Sequence, residues 1–176
     1  MTLEALYYLS QIIAVVLILG SLVFVGVEIR QNTLQARQSN AIAKADLSER
    51  LLAKFNDVWS IISTDEVVSK AFATVLYKNG KLSQLESVRL LTWFSNVLNT
   101  HFNAFLLMRD ELVDDKMLSA FDNNTAWCLS FPLFEAHWAE LLTSGLDFSP
   151  EFVAHVQAKR RVWTSKQSAP GSPPNN

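Results

Sequence analysis

The stretch LEALYYLSQIIAVVLILGSLVFVGVEIRQNT, Leu3 to Thr33, decides the fold class. From Ala5 to Val27 it runs 23 residues without a charge. As an α-helix rising ~1.5 Å per residue, that run reaches about 35 Å. The hydrocarbon core of a bilayer is ~30 Å thick, so such a helix spans it with some tilt. Tyr7 and Tyr8 stand at one end, where amphipathic rings favour the headgroup layer. A cleaved signal peptide needs a basic leading segment and a shorter apolar core with a nearby small-residue cleavage site. The basic segment is missing, the core is too long, and Ala41-Ile42-Ala43 lies too far downstream. A buried helix of a soluble protein is rarely apolar all round for so long. The sequence therefore predicts a transmembrane anchor over residues 1–29.

The charges around the anchor give it a direction. Residues 1–29 hold no Lys or Arg and two acids, Glu4 and Glu28. All 15 basic residues lie from Arg30 onward, with Arg30, Arg37 and Lys44 soon after the span. The positive-inside rule then predicts a single-pass protein of the inner (cytoplasmic) membrane, N-terminus out and C-terminal domain in the cytoplasm. The lipid bilayer is the first partner this implies.

One stripe of the span differs from the rest. At ~100° per residue, Ser10, Ala14, Leu17, Ser21, Val25 and Glu28 fall within a sector of roughly 80°. Asn32, Gln35 and Ser39 continue it. Small and hydroxyl side chains on one stripe let another helix approach closely. Ser10, Ala14, Ser21 and Glu28 are the candidate helix–helix contacts, with a second copy of the chain or another membrane protein.

Beyond the anchor the pattern is helical throughout, so the fold class is all-α: one transmembrane helix and a bundle of about five helices. Residues 30–46 are polar, rich in Gln, Asn, Ala and Arg, and hold no helix breaker. They predict a helical linker. Residues 47–163 predict the bundle. Leu47, Leu51, Phe55, Val58 and Ile62 make one apolar helical face. Ser63 with Glu66, and Ser83 with Glu86, have capping-box spacing, and Asn79-Gly80 closes the helix between them. A long helix follows from Gln84 to about Glu111, with Val88, Leu91, Phe94, Leu98, Phe102 and Phe105 on its buried side. A fourth runs from about Asp115 to Ser130, and Pro132 opens its successor, helical until Gly145. Ser149-Pro150 is a start signal for the last, which carries Phe152, Val153, Val156 and Trp163. All five tryptophans fall in the bundle, each needing an apolar niche and an acceptor for its N–H. Residues 164–176, rich in Ser, Pro, Gly and Asn, predict a disordered tail.

Two stretches resemble a known group. LEALYYLSQIIAVVLILGSLVFVGVEIRQNT at the start, and FEAHWAELLTSGLDFSPEFVAHV from Phe134 to Val156, look like the two ends of a widespread family of bacterial single-span membrane proteins. Where that group tends to carry a Trp-Trp pair, this chain has His137-Trp138. The resemblance implies a single span and a helical cytoplasmic domain. It implies no reaction.

Chemistry is sparse by spacing. The single cysteine, Cys128, excludes an intramolecular disulfide and a cysteine metal cage. A net charge of −2 gives no general pull towards nucleic acid. Neither Glu-x-x-His nor His-Glu-x-x-His occurs, nor a glycine-rich phosphate loop or nucleophile elbow, so no metal, cofactor or catalytic residue is expected and the chain does not read as an enzyme. His101, flanked at helical spacing by Val97, Leu98, Ala104 and Phe105, reads as a satisfied core residue. His137 and Glu140 share a helix face, with Glu135 off it. Asp110, Glu111, Asp114, Asp115 and Asp122 read as a solvated acidic patch at a helix junction, and Lys159, Arg160 and Arg161 as a local basic cluster. What remains is a membrane-anchored helical interaction module, self-associating or an accessory subunit of a membrane complex. The rival reading is a sensory or small-ligand-binding module with an aromatic-lined pocket.

Overall fold

The computed structural model describes residues 3–78, 80–144 and 148–167. Among them are six α-helices and no strand: α1 Leu3–Thr64, α2 Glu66–Tyr77, α3 Gln84–Arg109, α4 Asp115–Cys128, α5 Pro132–Thr143 and α6 Pro150–Gln167. The all-α expectation holds. The chain divides into two compact units, residues 1–45 and 46–176.

The first unit is the N-terminal part of α1. Its apolar side chains have no protein to pack on: Ile12 is 61% exposed and Phe24 68%. Its most apolar 18-residue window has a mean hydropathy of 2.8 and no buried residue, so α1 is long and apolar enough to cross a membrane.

The second unit is the bundle. It begins with the last turns of α1, whose Leu51 and Val58 are buried and whose Leu47, Phe55 and Ile62 are half-buried. α3 runs through the middle and packs against α2, α4 and α5, while α4 also packs on α6. Rings fill the core. Phe94 and Phe134 lie 4.7 Å apart, Phe55 and Phe121 4.7 Å, and Trp59 and Trp93 5.2 Å. The Trp93 indole donates to the Val58 carbonyl oxygen at 2.8 Å and so ties α3 to α1. Burying one such aromatic ring fully is worth about 1.5–3 kcal/mol.

Helix ends follow local chemistry. Ser83 and Glu86 form the expected capping box at the start of α3. Ser149 caps α6, its hydroxyl accepting from the Phe152 N–H at 3.2 Å. The other expected capping box is not made. Asp65, not Ser63, caps α2, accepting from the N–H groups of Val67 and Val68. A carboxylate one residue before the helix outcompetes a hydroxyl still inside α1, and Ser63 bonds back to the Ser60 carbonyl instead. α2 closes on Lys78 in the left-handed region, φ 52°. The expected Asn79 closure lies outside the described residues.

Three boundaries or faces move. Val88 is 57% exposed, because the buried face of α3 runs through Leu90, Trp93, Phe94, Val97, Leu98, His101, Ala104 and Phe105. α3 stops at Arg109, where Glu111 takes a positive φ of 58°. α6 continues to Gln167, past the expected end at Trp163, so residues 164–167 are helical. Residues 168–176, the rest of the expected tail, and Gly145 lie outside the described residues.

Candidate functional site

Three helices of the bundle bring polar groups into its interior. His101 stands on α3 one turn from Val97 and Leu98, on a face the apolar residues drive inward. Asp122 and Thr125 stand on α4 at helical spacing from Leu118 and Phe121 and are buried with them. His155 and Lys159 stand one turn apart on α6. His101, Asp122 and Thr125 are each 3% exposed or less.

The groups converge on one carboxylate. His101 Nε2 lies 3.0 Å from Asp122 Oδ1, and His155 Nε2 lies 2.6 Å from the same oxygen. Lys159 Nζ lies 2.8 Å from Oδ2 as an ion pair, although Oδ2 has no aligned hydrogen bond. On its far side, His101 Nδ1 lies 2.8 Å from the Thr125 hydroxyl. With Nε2 protonated, both imidazoles donate to Oδ1, and His101 Nδ1 accepts from Thr125. Phe121 and Phe152 flank the His101 ring at 6.3 and 5.0 Å.

The electrostatics follow from burial. Burial disfavours the Asp122 carboxylate, but hydrogen bonds from His101, His155 and Lys159 outweigh it and hold the group well below the usual carboxylate range. Burial pushes His101 down, and the opposing pull of Asp122 does not restore it. The cluster is then a neutral imidazole on an ion pair. His101, Asp122 and His155 also offer three ligand atoms that all lie within 4.8 Å of one another, a grouping that could hold a metal ion.

Sequence reasoning put His101 in the core, where it lies. Asp122, expected in a solvated acidic patch, is instead buried. The rest of that patch does different work. Asp114 caps α4, accepting from the Met117 N–H, and Asp110 pairs with Arg109. The signal for Asp122 was present, since Leu118, Phe121, Asp122 and Thr125 share one face. The partner of His155 lies 33 residues away, beyond what spacing within one helix records. His137 lies 3.0 Å from the Ser95 hydroxyl and 3.6 Å from Glu140, while Glu135 pairs with Arg160 of α6 at 2.6 Å.

The proposed helix contacts Ser10, Ala14, Ser21 and Glu28 are all exposed on α1. The two hydroxyls bond to their own helix, Ser10 to the Tyr7 carbonyl at 2.8 Å and Ser21 to the Leu17 carbonyl at 2.9 Å. A second concavity lies between α5 and α6. This cleft of about 710 Å³ has Leu129, Trp138, Leu142 and Val156 on its apolar walls and Glu135, Arg160 and Arg161 among its polar residues. Compared with known proteins, the chain matches no family model, no curated protein and no solved structure.

Proposed function

We propose that the chain is a membrane-anchored helical interaction module of the cytoplasmic membrane, single-pass, with its bundle in the cytoplasm, that associates through its anchor with a second copy or with another membrane protein. The observation that carries this reading is the exposed apolar surface of α1, which needs lipid to cover it. The basic residues that follow the span support the orientation. The stripe of Ser10, Ala14, Ser21 and Glu28 supports association. Because both serine hydroxyls are satisfied within the helix, the stripe acts through small size, with Glu28 as its polar contact.

Crosslinking of the full chain in mild detergent tests the association. Ala14→Leu and Ser21→Leu reduce the dimer yield, whereas Ile12→Leu on the opposite face leaves it unchanged. Equal yields for all three remove the anchor as the interface. Thiol labelling of intact cells tests the orientation. Cys128→Ser removes the native thiol, which is already buried and pushed up to about 12 by desolvation. A cysteine replacing Thr2 reacts with an impermeant maleimide and one replacing Ser172 does not. The reverse pattern overturns the orientation.

The cleft between α5 and α6 favours a second reading, a small-ligand module. Its size and apolar walls suit an amphipathic molecule. Arg161, which has no acidic partner among the described residues, suits that molecule's acidic group. Binding of a fluorescent long-chain carboxylate, lost in Arg161→Glu and in Ala139→Trp, supports that reading. Binding equal to a control without protein removes it.

A further inference from the structure

We propose that His101, Asp122 and His155 form a binding site for one divalent transition ion of the zinc class. Three ligands come from three different helices, α3, α4 and α6, and their donor atoms already lie within 4.8 Å of one another. Two imidazoles and one carboxylate suit zinc and its neighbours, and three protein ligands leave a coordination position open. In a tetrahedral site with bonds of ~2.0 Å, the donor atoms stand roughly 3.3 Å apart. Here Oδ1 lies 3.0 Å from His101 Nε2 and 2.6 Å from His155 Nε2. Opening the His101 contact by about 0.3 Å and the His155 contact by about 0.7 Å admits the ion in place of the Nε2 protons. His155 is the most exposed of the three ligands, its side chain 18% exposed.

The outer contacts fit the same site. A metal-bound histidine generally donates its other ring N–H, and a bound carboxylate is itself held by a donor. Thr125 stands at His101 Nδ1, ready to accept that N–H, and Lys159 stands at Asp122 Oδ2. Both contacts leave the inward atoms, Nε2 and Oδ1, facing the ion. A cleft of about 260 Å³, lined in part by Ser119, Asp122, Asn123 and Lys159, offers a route for it.

Charge sets the limit on affinity. Asp122 and Lys159 cancel, so a divalent ion leaves the cluster with an excess of positive charge. The open position therefore favours hydroxide or another small anion. Removing the Lys159 charge while keeping a side-chain donor, as in Lys159→Gln, lowers the repulsion and tightens binding, whereas a purely structural ion-pair network gives no reason for Lys159 to affect zinc at all.

The test is titration of the untagged full chain in mild detergent, stripped with chelator, first with Zn2+ by calorimetry and then with Co2+ by visible absorption. One ion binds per chain, and Co2+ gives the intense ligand-field bands of a low-coordinate site. Thr125→Val weakens Zn2+ about 10- to 100-fold, as loss of an outer contact does. His155→Ala weakens it further, and Lys159→Gln strengthens it. Circular dichroism confirms that His155→Ala, altered at the bundle's surface, stays folded. No binding to the wild-type chain overturns the proposal, as does binding of equal strength in folded His155→Ala.

Discussion

Phe24 and Phe94 are the same residue on the same kind of helix, yet the first is 68% exposed and the second is fully buried. The first unit surrounds its apolar side chains with nothing, and the second buries even charged ones. The described residues of the first unit carry hydrophobic surface with no protein to cover it. Residues 46–167 supply their own apolar medium, and Asp122, His101 and Thr125 sit inside it because each has a partner. One unit leaves its apolar run uncovered, and the other is closed enough to hold a buried ion pair.

The largest break in that comparison comes from removing the first unit's apolar run. The full chain stays in the pellet after alkaline carbonate washing, and a chain lacking residues 1–29 moves to the supernatant. A full-length chain released by carbonate means that the run is covered some other way. Next in size is the phenylalanine pair. Phe94→Ala costs the bundle about 3–5 kcal/mol, because a filled interior cannot collapse onto the cavity. Phe24→Ala, by contrast, leaves the bundle's unfolding free energy, measured by urea titration, within ~0.5 kcal/mol of wild type. Equal losses from both would mean that the anchor packs on the bundle and that the two units are one.

Acid gives a smaller effect, confined to the second unit. His101 and Asp122 both have depressed pKa values in the folded chain, so protons bind more readily to the unfolded chain. Their stabilisation is complete above the unfolded values and is lost as pH falls towards the folded ones. The bundle's urea midpoint therefore declines first below about pH 6.5, as His101 resists protonation, and again below about pH 4, as Asp122 does. Asp122→Asn lowers the midpoint at neutral pH and flattens the second decline. A midpoint constant from pH 7 to pH 3 would show that the buried cluster does not form.

Much of the fold was legible because it depends on neighbours along the chain. The capping box at Ser83 and Glu86, the Ser149-Pro150 start and the apolar face from Leu51 to Val58 involve residues within one or two turns, and helix geometry fixes them. The Ser63 cap failed to a stronger competitor two positions on. The candidate site was legible only in part. His101 stood out as a polar residue on an apolar face, and Asp122 carried the same signal under the cover of nearby surface acids.

By itself the sequence determined that this chain is helical and that its first 29 residues include an apolar run long enough to cross a bilayer, since length and hydrophobic period are local properties. Only the tertiary structure decided that His101, Asp122, His155 and Lys159 meet. Their partners lie 21 to 37 residues apart on different helices, and no periodicity within one helix records how α3, α4 and α6 are rotated against each other. That rotation is set by how the rings of the core interlock, and it places two imidazoles on one carboxylate oxygen.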